Sequence, residues 1–303
     1  MAIGDWVLGA RCRTPNPQYL IPTKGGQVQQ PQPIILTDLF PEVLAALLDL
    51  LAGLSHDEWA APTVCPGWSV KDLAGHLLGD DVGMLSRRRD GYRHGNAVFA
   101  GWDDLVAFIN RQNAEWVETA RRLSSRLLCD MLRLTGEQVS AFFRSLDPYA
   151  LGGPVDWAGP DPAPVWLDLA REYTERWHHQ QQIRDALGRP GLTEPRYLGP
   201  ALDTFVRALP HSYRNTSAAD QTLVALTITG AAGGTWFLLC EQAAWRLYLD
   251  IDRSPNARVT LDQDTAWRLF TKGIGETTAR AQATIEGDLS LAEPMLKTVA
   301  VIA

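Results

Sequence analysis

The 303-residue chain has only four cysteines, Cys12, Cys65, Cys129 and Cys240, with no CxxC and no paired spacing. That excludes a disulfide-stapled scaffold and fits free thiols in a reducing compartment. Positive charge is also short: 28 Lys+Arg stand against 35 Asp+Glu, a formal charge of −7. Without a basic run there is no source for a phosphate-neutralising surface, so nucleic acid is not an expected partner. Long apolar runs are missing as well. The one extended uncharged span, Gln221 to Cys240, holds four threonines and a glycine cluster at 230–234, and reads as two strands joined by a turn. No membrane partner is expected. Residues 1–33 carry Asp5, Arg11, Arg13 and Lys24 where a secretory signal needs an unbroken apolar stretch, so the expected location is the cytoplasm.

What is present is the composition of a folded protein, 46% hydrophobic and 21% charged. At roughly 150 residues per domain the length fits two domains. Residues 1–33, rich in Pro, Gly and Gln, show no period and read as an irregular arm. Helical spacing begins at Thr37 and places Leu39, Val43, Leu44, Leu47, Leu48 and Leu51 on one side. Ser69 with Asp72 three positions on resembles a capping box opening a second helix, which carries His76 two turns in. Further helices are expected near Asp103–Leu123, Arg126–Leu146, Val165–Leu187 and Leu198–Leu209. Between them, Asp147 to Pro164 holds five prolines and reads as a loop. After Pro210 the period turns strand-like over 222–229, 235–240, 244–251 and 257–261, followed by helices near 262–271 and 290–299. The reading is an α+β chain of two domains, a helical one over 34–212 and a small α/β one over 213–303.

The candidate chemistry lies on the Val165–Leu187 helix. Glu175 and His179, four residues apart, share a helix face with Cβ atoms about 5–6 Å apart. A carboxylate and an imidazole so placed suit a divalent metal if a third ligand arrives from elsewhere, and His76 is the natural candidate. The same spacing also serves a surface ion pair, and spacing alone leaves the two readings open. His178 lies about 100° around the helix from His179, so both do not face one metal; it reads as a surface or supporting residue. Cys65 reads as a buried loop thiol and Asp80, one turn past His76, as an exposed helix acid. Asn113 and Arg111 are candidates to face an open end of the helical domain. The tryptophans read as core.

Two stretches carry a family resemblance. Residues 63–77 (TVCPGWSVKDLAGHL) and 171–188 (REYTERWHHQQQIRDALG) resemble the metal-bearing motifs of the mycothiol-dependent maleylpyruvate isomerase family, a branch of the DinB-like metalloproteins. A looser likeness, in 264–271 (DTAWRLFT) and 285–292 (IEGDLSLA), extends to the family's small sterol-carrier-like C-terminal domain. The resemblance implies a DinB-like four-helix bundle followed by that domain, and a divalent metal, zinc being the expected ion, held by His76, Glu175 and His179 with a position left open. It also implies mycothiol as a low-molecular-weight thiol cosubstrate, whose metal-bound thiolate attacks a small electrophilic substrate in an isomerase or S-transferase reaction. A cationic contact from the C-terminal domain is expected too, with Arg246 and Arg268 as unaligned candidates. His178 and the arm of 1–33 depart from the pattern. Two other readings stay open: a hydrolase using metal-bound water, and a non-catalytic small-molecule-binding protein.

Overall fold

The structure, a computed structural model, describes residues 29–93 and 99–301. The irregular arm therefore falls almost wholly outside the described residues. Gln29 forms one antiparallel bridge with Asp250, and residues 30–36 carry no regular secondary structure.

Helix α1 (Leu39–Ala52) buries Phe40, Val43, Leu47, Leu48 and Leu51, the stripe its spacing predicts, and ends at Gly53. A one-turn helix, α2 (His56–Trp59), intervenes with its own Ser55–Glu58 capping box; four residues are too few to show a period. Helix α3 (Val70–Gly83) starts at the expected box: Ser69 Oγ accepts from the Asp72 N–H at 3.3 Å, and the Ser69 N–H donates to Asp72 Oδ2 at 2.9 Å. The helix then widens into a π-helical turn, Met84–Arg89, in which the Asp90 N–H donates to the Leu85 carbonyl at 3.0 Å. Helices α4 (Trp102–Ala120), α5 (Ser125–Ser145) and α6 (Val165–Ala186) follow. Helices α1, α3, α5 and α6 pack on one another, and α4 lies against α3.

Two glycines bring helices unusually close. A Cβ on Gly136 of α5 would sit 2.7 Å from Leu44 of α1, and one on Gly79 of α3 would sit 2.5 Å from the Trp116 indole of α4. Trp116 is held there, its Nε1–H donating to the Gly75 carbonyl at 2.8 Å. Gly79→Ala is accordingly expected to displace the indole and cost about 1–3 kcal/mol, the usual range for overpacking, read as a lowered Tm with the secondary structure retained.

The 147–164 segment is more than a loop. It contains a short antiparallel pair, β1 (Leu151–Pro154) and β2 (Pro162–Pro164). Proline lacks a donor but can end a two-stranded edge, and both strands here terminate on one. Beyond α6 come α7 (Pro195–Phe205), a 3-10 turn (Val206–Ala208) and α8 (Leu209–Ser212). The chain then becomes a five-stranded sheet in the order β5-β4-β3-β6-β7. Its strands are β3 (Leu223–Thr229), β4 (Gly234–Glu241), β5 (Ala244–Tyr248), β6 (Ala257–Asp262) and β7 (Thr284–Gly287). Only the β3–β6 pair is parallel. Helices α9 (Gln263–Phe270), α10 (Glu276–Gln282) and α11 (Leu289–Leu296) accompany it. Strand β7 and helix α10 escape the sequence reading, since four and seven mostly polar residues carry no apolar period.

The chain is thus α+β, helices first and a mixed sheet after. One buried apolar cluster runs from Phe40 through Trp166, Tyr173 and Trp177 to Phe205, Leu226 and Phe270, so α6 and α7 carry the packing between bundle and sheet. Among the described residues no helix is long and apolar enough to cross a membrane.

Candidate metal centre

Helices α3 and α6 run antiparallel, and an ion network fixes their register. Arg176 donates to Asp81 at 2.8 Å and to Glu172 at 2.7 Å, and the Thr135 hydroxyl of α5 donates to the second Asp81 oxygen at 3.0 Å. Farther along, Arg171 pairs with Asp168 at 2.7 Å and with Glu172, and Arg88 of the π turn pairs with Asp168. At the near end, Asp72 accepts from Arg121 of α4 through both oxygens, at 2.8 and 3.1 Å. With Arg176 tying α6 to α3 and Asp168 of α6 tied to the π turn, residue 76 of α3 faces residues 175 and 179 of α6.

The two imidazoles converge on one carboxylate oxygen. Glu175 Oε1 lies 3.3 Å from His76 Nε2 and 2.9 Å from His179 Nε2. The rings meet edge to face with centroids 4.7 Å apart, and one ligand atom from each residue lies within 4.8 Å of the others. Tetrahedral zinc with bonds near 2.1 Å needs donors about 3.4 Å apart, so this spacing suits such an ion after small adjustment. The His76 side chain is only 4% exposed, whereas Glu175 is 26% and His179 12% exposed, so the donor set is reached from the α6 side. Trp68, from the loop before α3, covers His76 with ring centroids 5.3 Å apart.

Protonation sharpens the fit. Gln182 Oε1 can only accept, so the His179 Nδ1–H donates to it at 2.7 Å. A neutral His179 then presents the Nε2 lone pair to the Glu175 carboxylate, acceptor against acceptor. Two states relieve this: a proton on Nε2, or a cation bound by both groups. In the cation-free state, burial pushes the His179 pKa down, but the Glu175 charge and hydrogen bond outweigh it and the net shift is upward. Burial likewise works to raise Glu175, and the charge of His179 with the hydrogen bonds from His179 and His76 holds it well below the usual carboxylate range. A metal ligand must be deprotonated, so a cation binding here displaces a proton from His179. Its affinity is expected to fall about tenfold for each pH unit below the raised His179 pKa, which competitive metal titration across pH 5–8 measures.

Several residues stand differently from their sequence reading. Asp80 is not an exposed acid: it is buried, with Oδ2 3.4 Å from His76 Nε2. Burial works against its charge, but His76 and Arg176 bring the pKa below the ordinary value. Glu175 and Asp80 thus set two negative charges beside the imidazoles, the balance a divalent ion requires. His178 is not on the surface either. It is buried, and burial together with His179 drives its pKa down to about 3, so it stays neutral. The structure leaves it outside the three-donor set, as its angle on the helix predicts. Cys65 is half-buried, its thiol donates to Gln182 Oε1 at 3.4 Å, and burial raises its pKa.

Gln182 is what the sequence reading misses. It accepts from His179 and Cys65 and lies 2.9 Å from His178 through its amide nitrogen. Its signal is position alone, three residues after His179 on the same helix. Removing an outer partner of a metal-binding histidine typically costs 10–100-fold in affinity. Gln182→Leu is therefore expected to weaken divalent-ion binding by about that factor, with Tm little changed, in a chelator-competition assay. Arg246 and Arg268 are both paired with carboxylates: Arg246 is 3.5 Å from Glu241, and Arg268 pairs with Asp185 at 2.6 Å and Asp264 at 2.9 Å while stacking on Trp267.

Bundle and donor set together define a helical domain built around a candidate cation site between α3 and α6. Residues 40–184, which span both helices through Glu175 and His179, match the family described as the mycothiol maleylpyruvate isomerase N-terminal domain. Over those residues the chain is similar to that family, in line with the resemblance of the two motifs. Among curated proteins, an uncharacterized protein found in two strains of Mycobacterium tuberculosis is 28% identical over 201 residues, 65% of this chain and 74% of the relative. Among solved structures, the mycothiol-dependent maleylpyruvate isomerase is similar with a TM-score of 0.47 at 11% identity, over 77% of this chain and 86% of that one. A mutant of it gives 0.49 at 11% identity, over 84% and 92%. The sterol carrier protein domain 2 of Helicoverpa armigera gives 0.26 at 13% identity, over 31% of this chain and 81% of that one.

Proposed function

We propose that this chain is a metal-dependent, thiol-using enzyme of the isomerase or S-transferase type, with mycothiol as cosubstrate and a small electrophile as substrate. The observation that carries the reading is the convergence of His76, Glu175 and His179 on one partly exposed point, inside a segment of the mycothiol maleylpyruvate isomerase N-terminal family. On this reading residues 34–212 form the metal-binding unit and 213–303 a second unit against it.

The three residues would hold a divalent cation, most simply zinc, with His76 and His179 binding through Nε2 and Glu175 through a carboxylate oxygen. When bound, the ion lowers the pKa of a coordinating thiol so that the thiolate is present at neutral pH. The chain's own groups do the rest. Gln182 fixes the His179 tautomer, Asp80 adds a second negative charge beside His76 Nε2, and Trp68 closes water off from the His76 side. A donor set of three leaves room for a thiol, which a closed four-residue structural site does not.

The test is turnover of maleylpyruvate, and of other small electrophiles, by the metal-loaded chain with and without mycothiol. Conversion that requires both metal and mycothiol is the expected result. Conversion without any thiol would replace this reading with a hydrolase. Metal and small-molecule binding with no conversion of any electrophile would leave a binding protein.

A further inference from the structure

Helices α1, α3, α5 and α6 do not close completely on one another. Between them lies a cavity of about 30 Å³, and none of His76, Glu175 and His179 lines it. Its walls are apolar side chains of α1 and α5, with Leu77 of α3. Three polar side chains reach it: Asp81 of α3, Ser140 of α5 and Arg176 of α6. A water-sized sphere needs about 10–15 Å³, so the space takes roughly two or three of them, enough for a molecule of a few heavy atoms. Leu44 of α1 lines the cavity and is only partly buried, which places the way in between α1 and α5.

Two of the three polar groups satisfy each other. Arg176 donates to Asp81 at 2.8 Å, Thr135 donates to the second Asp81 oxygen at 3.0 Å, and Glu172 takes the other side of Arg176 at 2.7 Å. The ion pair offers a charged guest no net attraction, and an isolated charge between apolar walls is costly. Ser140 is different. It is 4% exposed, and its hydroxyl has no hydrogen-bond partner among the described residues. Thr119 and Ser212 bond the carbonyl one turn back, at 3.0 and 3.1 Å, the usual resort of a helical hydroxyl. Ser140 does not, and it faces the cavity instead. An unpaired buried hydroxyl costs about 1–3 kcal/mol, which a guest carrying a hydrogen-bonding group recovers. Water is a poorer match, because a buried water makes about three hydrogen bonds and the groups here other than Ser140 are already engaged.

We propose that this cavity binds a small neutral molecule with an aliphatic body and one hydroxyl, the size of an alcohol of roughly two to four carbons, with that hydroxyl paired to Ser140. The guest joins α5 to the Arg176–Asp81 clamp. Arg176 and Asp81 are next in sequence to Glu175 and Asp80, so a filled cavity braces the two helices that carry the donor set. The site needs no cation and is independent of the enzyme reading above.

1-Propanol is titrated into the full chain, and the methyl resonances of Leu44, Leu132 and Val139 are followed by NMR. Saturable shifts confined to the cavity methyls are expected, with propionate and propylammonium producing none. Ser140→Ala is expected to weaken 1-propanol about two- to tenfold, the scale of one neutral hydrogen bond, and to leave xenon, which makes none, bound as in wild type. Ser140→Cys, which keeps the bulk and pairs only weakly, gives the same comparison should Ser140→Ala let the cavity collapse. Val139→Ile, which adds a methylene to the wall, is expected to abolish binding of both probes with Tm held or raised. Shifts that grow linearly with alcohol and spread over the surface would overturn the proposal. So would equal 1-propanol affinity in wild type and both Ser140 variants, charged analogues that bind as well as the alcohol, or a cavity that admits neither probe.

Discussion

Glu175→Gln is expected to weaken divalent-cation binding by at least about a hundredfold while the fold survives. Loss of an outer partner alone costs 10–100-fold, and Glu175 is nearer than that: its Oε1 is the atom both imidazoles approach, at 3.3 and 2.9 Å. The amide keeps the shape but loses the charge, and one of its two positions turns from acceptor to donor. The imidazoles then lose the carboxylate that offsets a bound cation, and Asp80 alone supplies negative charge beside His76. Glu175 is partly exposed, so neutralising it leaves no buried charge stranded. Chelator competition measures the first effect and thermal unfolding of the metal-free protein the second. Unchanged metal affinity in this variant would remove Glu175 from the donor set.

Arg176→Met is expected to be the most destabilising of the single changes considered, by about 3–5 kcal/mol, the cost of breaking a buried ion pair from one side. Arg176 sits beside Glu175 in sequence but points away from the donor set. It bridges Asp81 on α3 and Glu172 on its own helix, and lies over the Phe40 and Phe143 rings at 5.8 and 5.7 Å. Methionine keeps much of the apolar contact and leaves the buried Asp81 carboxylate without its cation, while Glu172 keeps Arg171. Burial already raises the Asp81 pKa against the pull of Arg176, so without the arginine it takes up a proton at higher pH still. The double variant Asp81→Asn/Arg176→Met should recover part of the loss, because it removes one stranded charge. Denaturant unfolding of the two variants checks both values. A loss below about 1 kcal/mol in Arg176→Met would show that the network does not clamp α3 to α6.

These effects show which features a single sequence reveals. The frame of the site rests on strong local signals: the Ser69–Asp72 box sets where α3 begins, and the long apolar side of α6 sets the phase of Glu175 and His179. The residues around that frame carry weaker signals. Asp80 reads as a solvated acid because a helix acid usually is one; its burial depends on α6 covering that face. The Gln182 contacts join α6 to the loop holding Cys65, 117 positions away, and no period encodes such a contact. The π turn holding Arg88 has the same residue types an α-helix would have. Strand β7, β1 and β2 are too short to alternate visibly. The parallel β3–β6 pair is set by the order of crossovers, which strand composition does not reveal.

The central claim is that His76, Glu175 and His179 hold a metal on which a thiol depends. The most direct measurement is elemental analysis of purified wild type beside His179→Ala, followed by titration of mycothiol into each after metal loading. The account predicts about one divalent ion per wild-type chain, its loss in the variant, and mycothiol binding only where the ion is bound. Wild type that neither contains nor takes up a divalent ion, or mycothiol binding that is equal with and without it, would contradict the account.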